Sequence, residues 1–173
     1  RRTTDPSNDY NPVWSPDGRT IAFLRSQVEA GKNEVRTIPP LGGSERRITE
    51  IHVRGGTWVS PPYLAWCPDS TCLIATDSQG DGKPDSLFVV SLETGGKRPL
   101  TNPPPGAGND AHPAVSSDGI WLVFRRSASL FAGELYRQRL GKGVTAVGEP
   151  QRLTPSTLDG SNPLWMPGSK EIL

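Results

Sequence analysis

The chain has 173 residues and a balanced charge, with 19 Lys and Arg against 18 Asp and Glu. That balance excludes the strong basic field with which proteins bind nucleic acid or anionic membranes, so we predict no nucleic-acid partner. Gly (19) and Pro (18) are frequent but separate short apolar runs, and no run approaches the ~18 residues of a membrane span.

One sequence unit occurs four times along the chain. Its first copy begins with Trp-Ser-Pro-Asp-Gly at residues 14–18 and continues into an apolar run at 21–24. The anchor residues of the four copies are Trp14, Trp66, Val115 and Trp165, which gives steps of 66 − 14 = 52, 115 − 66 = 49 and 165 − 115 = 50. A fixed period of this size indicates a solenoid or a propeller.

Each unit begins with a predicted β-hairpin. A short strand ends at the anchor, a Pro-Asp-Gly type of turn follows, and the apolar run forms the second strand. The recurring aspartates Asp17, Asp69 and Asp118 lie inside these turns. Because an aspartate in a turn bonds its own backbone two residues on, we interpret them as turn residues rather than catalytic carboxylates.

Two further strands complete each unit. The predicted third strands are residues 34–38, 86–92 and 134–140. Gly-containing turns lead to the predicted fourth strands, residues 46–49, 97–101 and 151–154. One four-stranded antiparallel sheet per period must stack on its neighbours to bury its apolar faces. The recurring tryptophans Trp14, Trp66 and Trp165 are predicted to pack in the core between these sheets.

Radial stacking of such sheets makes an all-β fold, a β-propeller of four-stranded antiparallel blades. We predict a single partial propeller over residues 1–173, with full blades at about 5–49, 57–101 and 107–154 and a partial blade at 158–173. Residues 1–4 resemble a fourth strand of a preceding blade. We therefore expect a part of a longer ring, or a homodimer formed through the open blade edges.

The pattern resembles a known family. Trp-Ser-Pro-Asp-Gly, an apolar second strand, Gly-Gly at 42–43 and Arg-Arg-Ile-Thr at 46–49 are similar to the TolB-type, WD-repeat-like propellers. Together with residues 100–104 and 148–154, they resemble the C-terminal propellers of bacterial transmembrane winged-helix transcriptional regulators and of some bacterial Ser/Thr kinases. The resemblance implies a sensory or protein-binding module in an extracytoplasmic location, and no catalysis.

We therefore expect a non-enzymatic propeller that binds a protein or a small ligand at the mouth of its channel. The alternatives are the propeller domain of a prolyl-oligopeptidase-like serine hydrolase, a periplasmic Tol-type scaffold and a propeller that scaffolds a kinase. A catalytic role within this segment is disfavoured because His52 and His112 lie in separate units and no Gly-x-Ser-x-Gly elbow accompanies them.

The candidate binding residues precede each innermost strand. In a propeller these positions ring one mouth of the central channel, and the same positions also cap loops, so both interpretations stay open. The candidate rim residues are Asp9, Tyr10, Asn11, Tyr63, Asp110, His112 and Asn162.

The two cysteines flank one hairpin turn. Cys67 and Cys72 are separated by four residues, so a regular hairpin places them opposite each other. A disulfide and a pair of free thiols are both consistent with this spacing. A metal or redox role is not favoured, because the spacing differs from that of a Cys-x-x-Cys motif.

The loop of residues 77–85 has the spacing of a calcium-binding loop. Asp77, Gln79, Asp81, Lys83 and Asp85 occupy its oxygen-donating positions, with the Lys83 contribution a backbone carbonyl. Phe88 stands where a bidentate glutamate is expected. A solvated hairpin loop and a weak calcium site both remain open, and no other cofactor is predicted.

Overall fold

The computed structural model describes residues 3, 5–27, 31–53, 63–78, 80, 82–129, 132–155, 162–166, 168 and 171–173. Its regular elements are twelve β-strands, which form three sheets of four antiparallel strands in simple chain order. The fold is therefore the all-β arrangement of propeller blades that the repeat predicts. The described residues include no helix long and apolar enough to cross a membrane.

The three blades have the following strands. Blade 1 contains β1 (Asp9–Trp14), β2 (Ile21–Ser26), β3 (Lys32–Ile38) and β4 (Arg46–His52). Blade 2 contains β5 (Leu64–Trp66), β6 (Cys72–Ser78), β7 (Asp85–Ser91) and β8 (Lys97–Pro99). Blade 3 contains β9 (Asn109–Val115), β10 (Trp121–Ser129), β11 (Ala132–Gly141) and β12 (Thr145–Arg152). A final isolated antiparallel bridge joins Trp165 to Ile172.

The hairpin turns have the predicted chemistry. The backbone N–H of Arg19 donates to Asp17 Oδ1 at 3.0 Å, and Asp69 and Asp118 accept from the residues two positions on at 3.0 and 2.9 Å. Gly18 and Gly119 close their turns with φ of 71° and 73°, conformations that glycine adopts without steric cost. The aspartates are turn residues, as predicted.

The fourth strand of blade 3 differs from its predicted range. We expected it at residues 151–154, whereas β12 begins at Thr145. Its register against β11 shifts between Arg137 and Arg139, and the side chain of Gln138 fills this bulge by donating to the carbonyls of Val147 and Gly148 at 3.0 and 3.1 Å. These bonds keep the strand attached through the irregular stretch, so pairing starts immediately after the turn.

Two apolar clusters lie between the sheets. The first joins Ala22, Leu24 and Val35 of blade 1 to Leu73 and Val90 of blade 2. The second joins blade 2 to blade 3, with Ile74, Leu87 and Val89 packed near Leu122 and Phe124. Blade 2 therefore packs one apolar face against blade 1 and the other against blade 3.

The prediction for the recurring tryptophans is right for Trp66 and wrong for Trp14. Trp66 is 7% exposed, and its indole Nε1 donates to the Val13 carbonyl of blade 1 at 3.0 Å. Trp165 is partly buried and makes the same bond to the Ala114 carbonyl of blade 3 at 3.0 Å. Trp14, by contrast, is 60% exposed. The reason is positional, because the indole reaches toward the preceding blade and no described residue forms a blade on that side.

Candidate binding site

The positions before the innermost strands have an unusual backbone. Asn11, His112 and Asn162 have φ of 54°, 56° and 51°, which is the left-handed region that few residues other than glycine enter. In β1 and β9 the register shifts at this point, so each strand carries a bulge there. A bulge re-aims a side chain, and in this chain it turns the side chains of Asn11 and His112 toward the next blade.

Those two side chains hydrogen-bond the following innermost strand. Asn11 Oδ1 accepts from the backbone N–H of Tyr63 at 2.8 Å, and His112 Nδ1 accepts from the backbone N–H of Asn162 at 3.1 Å. For His112 to accept this bond, its Nδ1 carries no proton. The predicted rim residues are thus brought together in two groups, one at the start of β1 and β5 and one at the start of β9 and residue 162.

An aspartate and an arginine pair across the two innermost strands of blades 1 and 3. Arg25 binds Asp9 through two hydrogen bonds of 2.6 and 2.8 Å, and Arg126 binds Asp110 through two of 2.6 and 2.9 Å. The guanidinium groups also lie over Phe23 and Phe124, each 5.5 Å from the ring centroid. Bidentate pairs of this kind are among the stronger protein hydrogen bonds.

The two carboxyl groups differ in their titration. Burial raises the pKa of Asp110, which is 0% exposed, and this effect exceeds the opposing effect of Arg126. Burial is also the largest single influence on Asp9 and raises its pKa, but the hydrogen bonds from Arg25 and Thr3 and the charge of Arg25 together outweigh it, and the net pKa lies below the ordinary 3.8. The difference follows the depth of the two groups, since desolvation penalises a charge most where water is excluded.

Two tyrosines belong to the apolar cluster between blades 1 and 2. The Tyr10 hydroxyl donates to Asn33 Oδ1 at 2.7 Å, and burial raises the pKa of Tyr10 to about 12. Burial, together with the Asp85 carboxylate, raises the pKa of Tyr63. Both phenols are therefore neutral at physiological pH and present hydroxyl groups rather than charges.

The predicted rim residues differ in their access to solvent. Tyr63, Asp110 and His112 are buried, and their described roles are contacts between strands or blades. The residues that reach solvent are Asp9, Tyr10 and Asn11, which are partly buried, and Asn162, which is exposed. The surface that this end of the propeller offers to a partner is therefore polar, and it is supported by buried groups beneath it.

Cys67 and Cys72 form a disulfide in the structure, with their Cα atoms 5.3 Å apart. In blade 1 the equivalent Ser15 hydroxyl accepts from the N–H of Thr20 at 2.9 Å and donates to Asp17 at 2.6 Å, and Ser116 does the same in blade 3. We call this pair of serine hydrogen bonds the hydroxyl clasp. In blade 2 the disulfide occupies the position of the clasp. It also belongs to the apolar cluster between blades 2 and 3.

The predicted calcium loop is described only in part, because Gln79 and Asp81 lie outside the described residues. Asp77 is buried, accepts from the N–H groups of His52 and Ser78 at 2.8 and 2.9 Å, and pairs with Lys97. Asp85 is also buried, within β7, whereas Lys83 lies near the exposed tip. The described residues contain no group of three or more acidic, His or Cys side chains arranged for a metal, and calcium binding stays a prediction.

Sequence reasoning missed the aspartate–arginine pairs, although the repeat contains their signal. Arg25 follows the anchor Trp14 by 11 residues, and Arg126 follows the anchor Val115 by the same number. The acidic partners precede them by 16 residues in both blades. In blade 2 the equivalent position is Asp77, whose cationic partner Lys97 comes from β8 instead.

A concave surface lies at the seam between blades 2 and 3. It encloses about 650 Å³ and is lined by Cys72 and Val89 on blade 2 and by Val144 on the β11–β12 turn. Arg98 crosses this seam and donates to the carbonyls of Gly143 and Val144. The groove is thus bordered by a contact that ties the two blades together.

Comparison with known proteins places this geometry among propellers. No family model matches the chain. An uncharacterized peptidase of Bacillus subtilis, YuxL, is 30% identical over 158 residues, which cover 72% of this chain and 22% of YuxL. The Tol-Pal system protein TolB 1 of Novosphingobium aromaticivorans is 41% identical over 49 residues, about one blade, which cover 28% of this chain and 11% of that protein.

One solved structure has a fold similar to that of this chain. The β-propeller domain of the Trilobed protease from Pyrococcus furiosus superposes with a TM-score of 0.58 at 13% identity, over 86% of this chain and 43% of that one. The chain spans less than half of the length of each of these three proteins. The likenesses show a β-propeller shared with TolB and with the propeller domains of peptidases.

Proposed function

We propose that this chain is a non-enzymatic β-propeller module that binds a protein or a small ligand at the end where its innermost strands begin. The observation that carries the proposal is the left-handed backbone that recurs at Asn11, His112 and Asn162. Strained backbone of this kind clusters at binding sites, where the surrounding structure holds it in place. The recurring aspartates of the hairpins offer no competing catalytic site, because the turn N–H groups occupy them.

The chemistry of this end suits a polar partner such as an extended peptide. Asn162 is exposed, and Tyr10 and Asp9 are partly exposed. Amide and hydroxyl groups pair with the alternating N–H and C=O groups of a peptide backbone. The ion pairs beneath them fix the side chains before binding and so reduce the entropy that a partner must overcome.

Two settings fit such a module. The likeness to YuxL over most of the chain supports the propeller domain of a prolyl-oligopeptidase-like serine hydrolase, in which the module would control access to a catalytic domain elsewhere. The resemblance to regulator propellers supports the extracytoplasmic sensor part of a bacterial regulator. The likeness of one blade to TolB and the Cys67–Cys72 disulfide both favour an extracytoplasmic location, since disulfides persist in oxidising compartments.

The binding proposal can be tested by NMR titration. Unstructured proline-containing peptides, the probe, are added to ¹⁵N-labelled protein, and we expect shifts at the amides of Tyr63 and Asn162. The variant Asn162→Ala should weaken binding, whereas Ile120→Ala, in the turn at the opposite end of blade 3, should not. Shifts confined to the β1–β2 and β9–β10 turns would contradict the proposal.

The coding sequence that flanks this segment distinguishes the two settings. A Gly-x-Ser-x-Gly elbow in the flanking coding sequence would select the hydrolase, whereas a winged helix followed by an apolar span would select the regulator. The same peptide titration applies in both settings, because the propeller is common to them.

A further inference from the structure

The same arginine contact joins blade 1 to blade 2 and blade 2 to blade 3. Arg46 begins β4 and donates to the Glu93 carbonyl in the β7–β8 turn at 3.0 Å. Arg98 of β8 donates to the carbonyls of Gly143 and Val144 in the β11–β12 turn. The two arginines occupy equivalent positions, because 98 − 46 = 52 is also the step between the anchors of blades 1 and 2.

The two seams differ in how closely they pack beside this contact. A Cβ atom added at Gly95, in the β7–β8 turn, would stand 2.3 Å from the Ile48 carbonyl oxygen of blade 1. One added at Gly143, in the corresponding turn of blade 3, would have nothing within 4 Å. At the seam between blades 2 and 3 the groove of about 650 Å³ lies beside this turn. Its volume is within the usual range of ligand sites.

Blades 2 and 3 form this groove by themselves. All of its lining residues lie between positions 69 and 144, in the interior of the chain. Cys72 and Val89 of blade 2 and Val144 of blade 3 line it, and all three belong to or pack against the apolar cluster between the two blades. The floor of the groove can therefore bury an aliphatic group.

One carboxylate and one guanidinium of the groove have no oppositely charged partner among the described residues. Asp69 accepts from the N–H and the hydroxyl of Thr71 at 3.0 and 2.8 Å, and no described cation pairs with it. Arg98 bonds two neutral carbonyls through Nη2, which leaves its Nε and Nη1 donors for a ligand. Lys97 also lines the groove, but its ammonium pairs with Asp77.

The two charges lie on different strands of the blade. Asp69 precedes β6 in the β5–β6 turn, whereas Arg98 belongs to β8, two strands farther out. Neighbouring strands are ~4.8 Å apart, so the charges are separated by on the order of 10 Å. An extended chain covers at most about 3.5 Å per residue, so about three residues bridge this distance. Glu93 lines the groove as well but is exposed, where water weakens the interactions of its charge.

We propose that this groove binds a short peptide of about three residues with free termini. The peptide's ammonium group pairs with Asp69, its carboxylate pairs with Arg98, and an aliphatic side chain packs on Val89 and the disulfide. Each charged group of the peptide thus meets a side chain of opposite charge, and charge-assisted hydrogen bonds are the stronger ones in proteins. The groove lies beside the β5–β6, β7–β8 and β11–β12 turns, at the opposite end of the strands from the channel mouth. The inference therefore does not rest on the function proposed above.

Calorimetric titration with the tripeptide Ala-Leu-Ala tests the proposal. The peptide with free termini should bind about tenfold more tightly than its N-acetylated form and than its C-terminal amide, because each blocked form loses one charged contact. Equal affinity of the three peptides, or no binding of the free peptide, would overturn the proposal.

Two variants should each remove one part of this discrimination. Asp69→Asn keeps an oxygen for the turn hydrogen bonds, and it should bind the free and the acetylated peptide equally while still preferring the carboxylate to the amide. Arg98→Gln should show the reverse preference. Asp17→Asn makes the same change in the turn of blade 1, outside the groove, and should behave as the parent. An Asp69→Asn variant that still discriminates against acetylation would contradict the assignment, whatever Arg98→Gln does to the seam.

NMR separates this site from the channel mouth. Titration of the ¹⁵N-labelled protein with Ala-Leu-Ala should shift the amides of Thr71 and Val144. Shifts at Tyr63 and Asn162 with none at Thr71 and Val144 would place the peptide at the channel mouth and overturn this inference, while supporting the proposed function. Shifts at Thr71 and Val144 without any at the mouth would support the groove and leave the proposed function to its own titration.

Discussion

At the scale of single residues, blades 1 and 3 each carry an aspartate–arginine ion pair near the start of the innermost strand. Asp110 is fully buried and has Arg126 as its bidentate partner, and the guanidinium lies 4.9 Å from the Tyr136 ring centroid. Asp9 has the same partner geometry with Arg25 but lies nearer the surface, and Glu45 shares its arginine. Asp9 and Asp110 thus occupy equivalent positions of the repeat but differ in their electrostatic surroundings.

Removing one member of the deeper pair should be costly. We expect Asp110→Ala to lower the free energy of unfolding by about 3–5 kcal/mol, because it leaves a buried guanidinium without its partner. The double variant Asp110→Leu with Arg126→Leu should lose less, since it buries no unpaired charge. Urea denaturation of the parent and the two variants measures this, and a double variant that loses as much stability as Asp110→Ala, or more, would contradict the account.

The two aspartates should also respond to pH with opposite signs. The pKa of Asp9 lies below 3.8, so its stabilising contribution is complete above that pH and disappears as the pH falls through the folded-state pKa. The pKa of Asp110 lies above its unfolded value of 3.8, so its contribution decreases as the pH rises through that window.

Thermal unfolding across this pH range checks the prediction. Relative to the parent, Asp9→Asn should be most destabilised at neutral pH and nearly equal to it in strong acid. For Asp110→Asn the parent should lose part of its advantage as the pH rises above 3.8. Parallel curves for the parent and both variants would show that neither carboxyl titrates differently on folding.

The residue scale also separates what the sequence could predict from what it could not. Turn aspartates such as Asp17 were predictable because their partner lies two residues away. The pairing of Asp9 with Arg25 depends on which strand positions face each other, and the bulge at residues 10–13 sets this register. The 16-residue spacing recurs in blade 3, but no local pattern marks the bulge that turns this spacing into a pair.

At the scale of elements, close approach between blades depends on single glycines. Gly95 lies in the β7–β8 turn, and a Cβ atom added there would stand 2.3 Å from the Ile48 carbonyl oxygen of blade 1. Gly18 has the same φ of 71° in the β1–β2 turn, with nothing within 4 Å of the added atom. The two glycines therefore form a matched pair, one at a seam and one in open space.

Alanine at these two positions should have different effects. Gly18→Ala should cost about 1–2 kcal/mol, the usual cost of a left-handed conformation for a residue with a Cβ atom. Gly95→Ala should cost clearly more, because the clash with Ile48 is with backbone and forces blades 1 and 2 apart. The denaturation midpoints of the two variants measure this difference. Equal losses of stability would show that blades 1 and 2 accommodate the added methyl group at residue 95 without strain.

The disulfide of blade 2 should stabilise its turn. Closing the short loop between Cys67 and Cys72 is worth about 2 kcal/mol on the loop-entropy estimate. We expect Cys67→Ala with Cys72→Ala to lose about this amount. Cys67→Ser with Cys72→Thr should recover part of it, because these are the residues of blade 1 whose hydroxyl clasp the disulfide replaces. Urea unfolding midpoints of the parent and both double variants, measured under oxidising conditions, compare their stability. Equal stability of the two double variants would show that the serine hydrogen bonds do not replace the disulfide.

The strands themselves were largely predictable, because alternation and turn residues mark them. The exception is β12, which begins at Thr145 rather than at residue 151. Glu149 and Pro150 read as a loop in the sequence, yet the buried Gln138 side chain bonds the backbone beside them and holds the strand in place. A single amide of another strand thus decides where this element starts.

At the scale of the whole molecule, the period of about 50 residues predicted the blades, and the chain order of the strands gave each sheet its simple meander. The exposure of Trp14 could not be predicted in the same way, since it depends on what packs against the side of blade 1 that faces away from blade 2.

The central claim is that indole-to-carbonyl hydrogen bonds join successive innermost strands into one propeller. Hydrogen exchange of the indole N–H groups, followed by NMR, tests it most directly. Trp66 and Trp165 should exchange slowly because each donates to a carbonyl of the preceding blade, whereas the exposed Trp14 should exchange rapidly. Equal and rapid exchange at Trp66 and Trp14 would contradict the stacked arrangement of the blades.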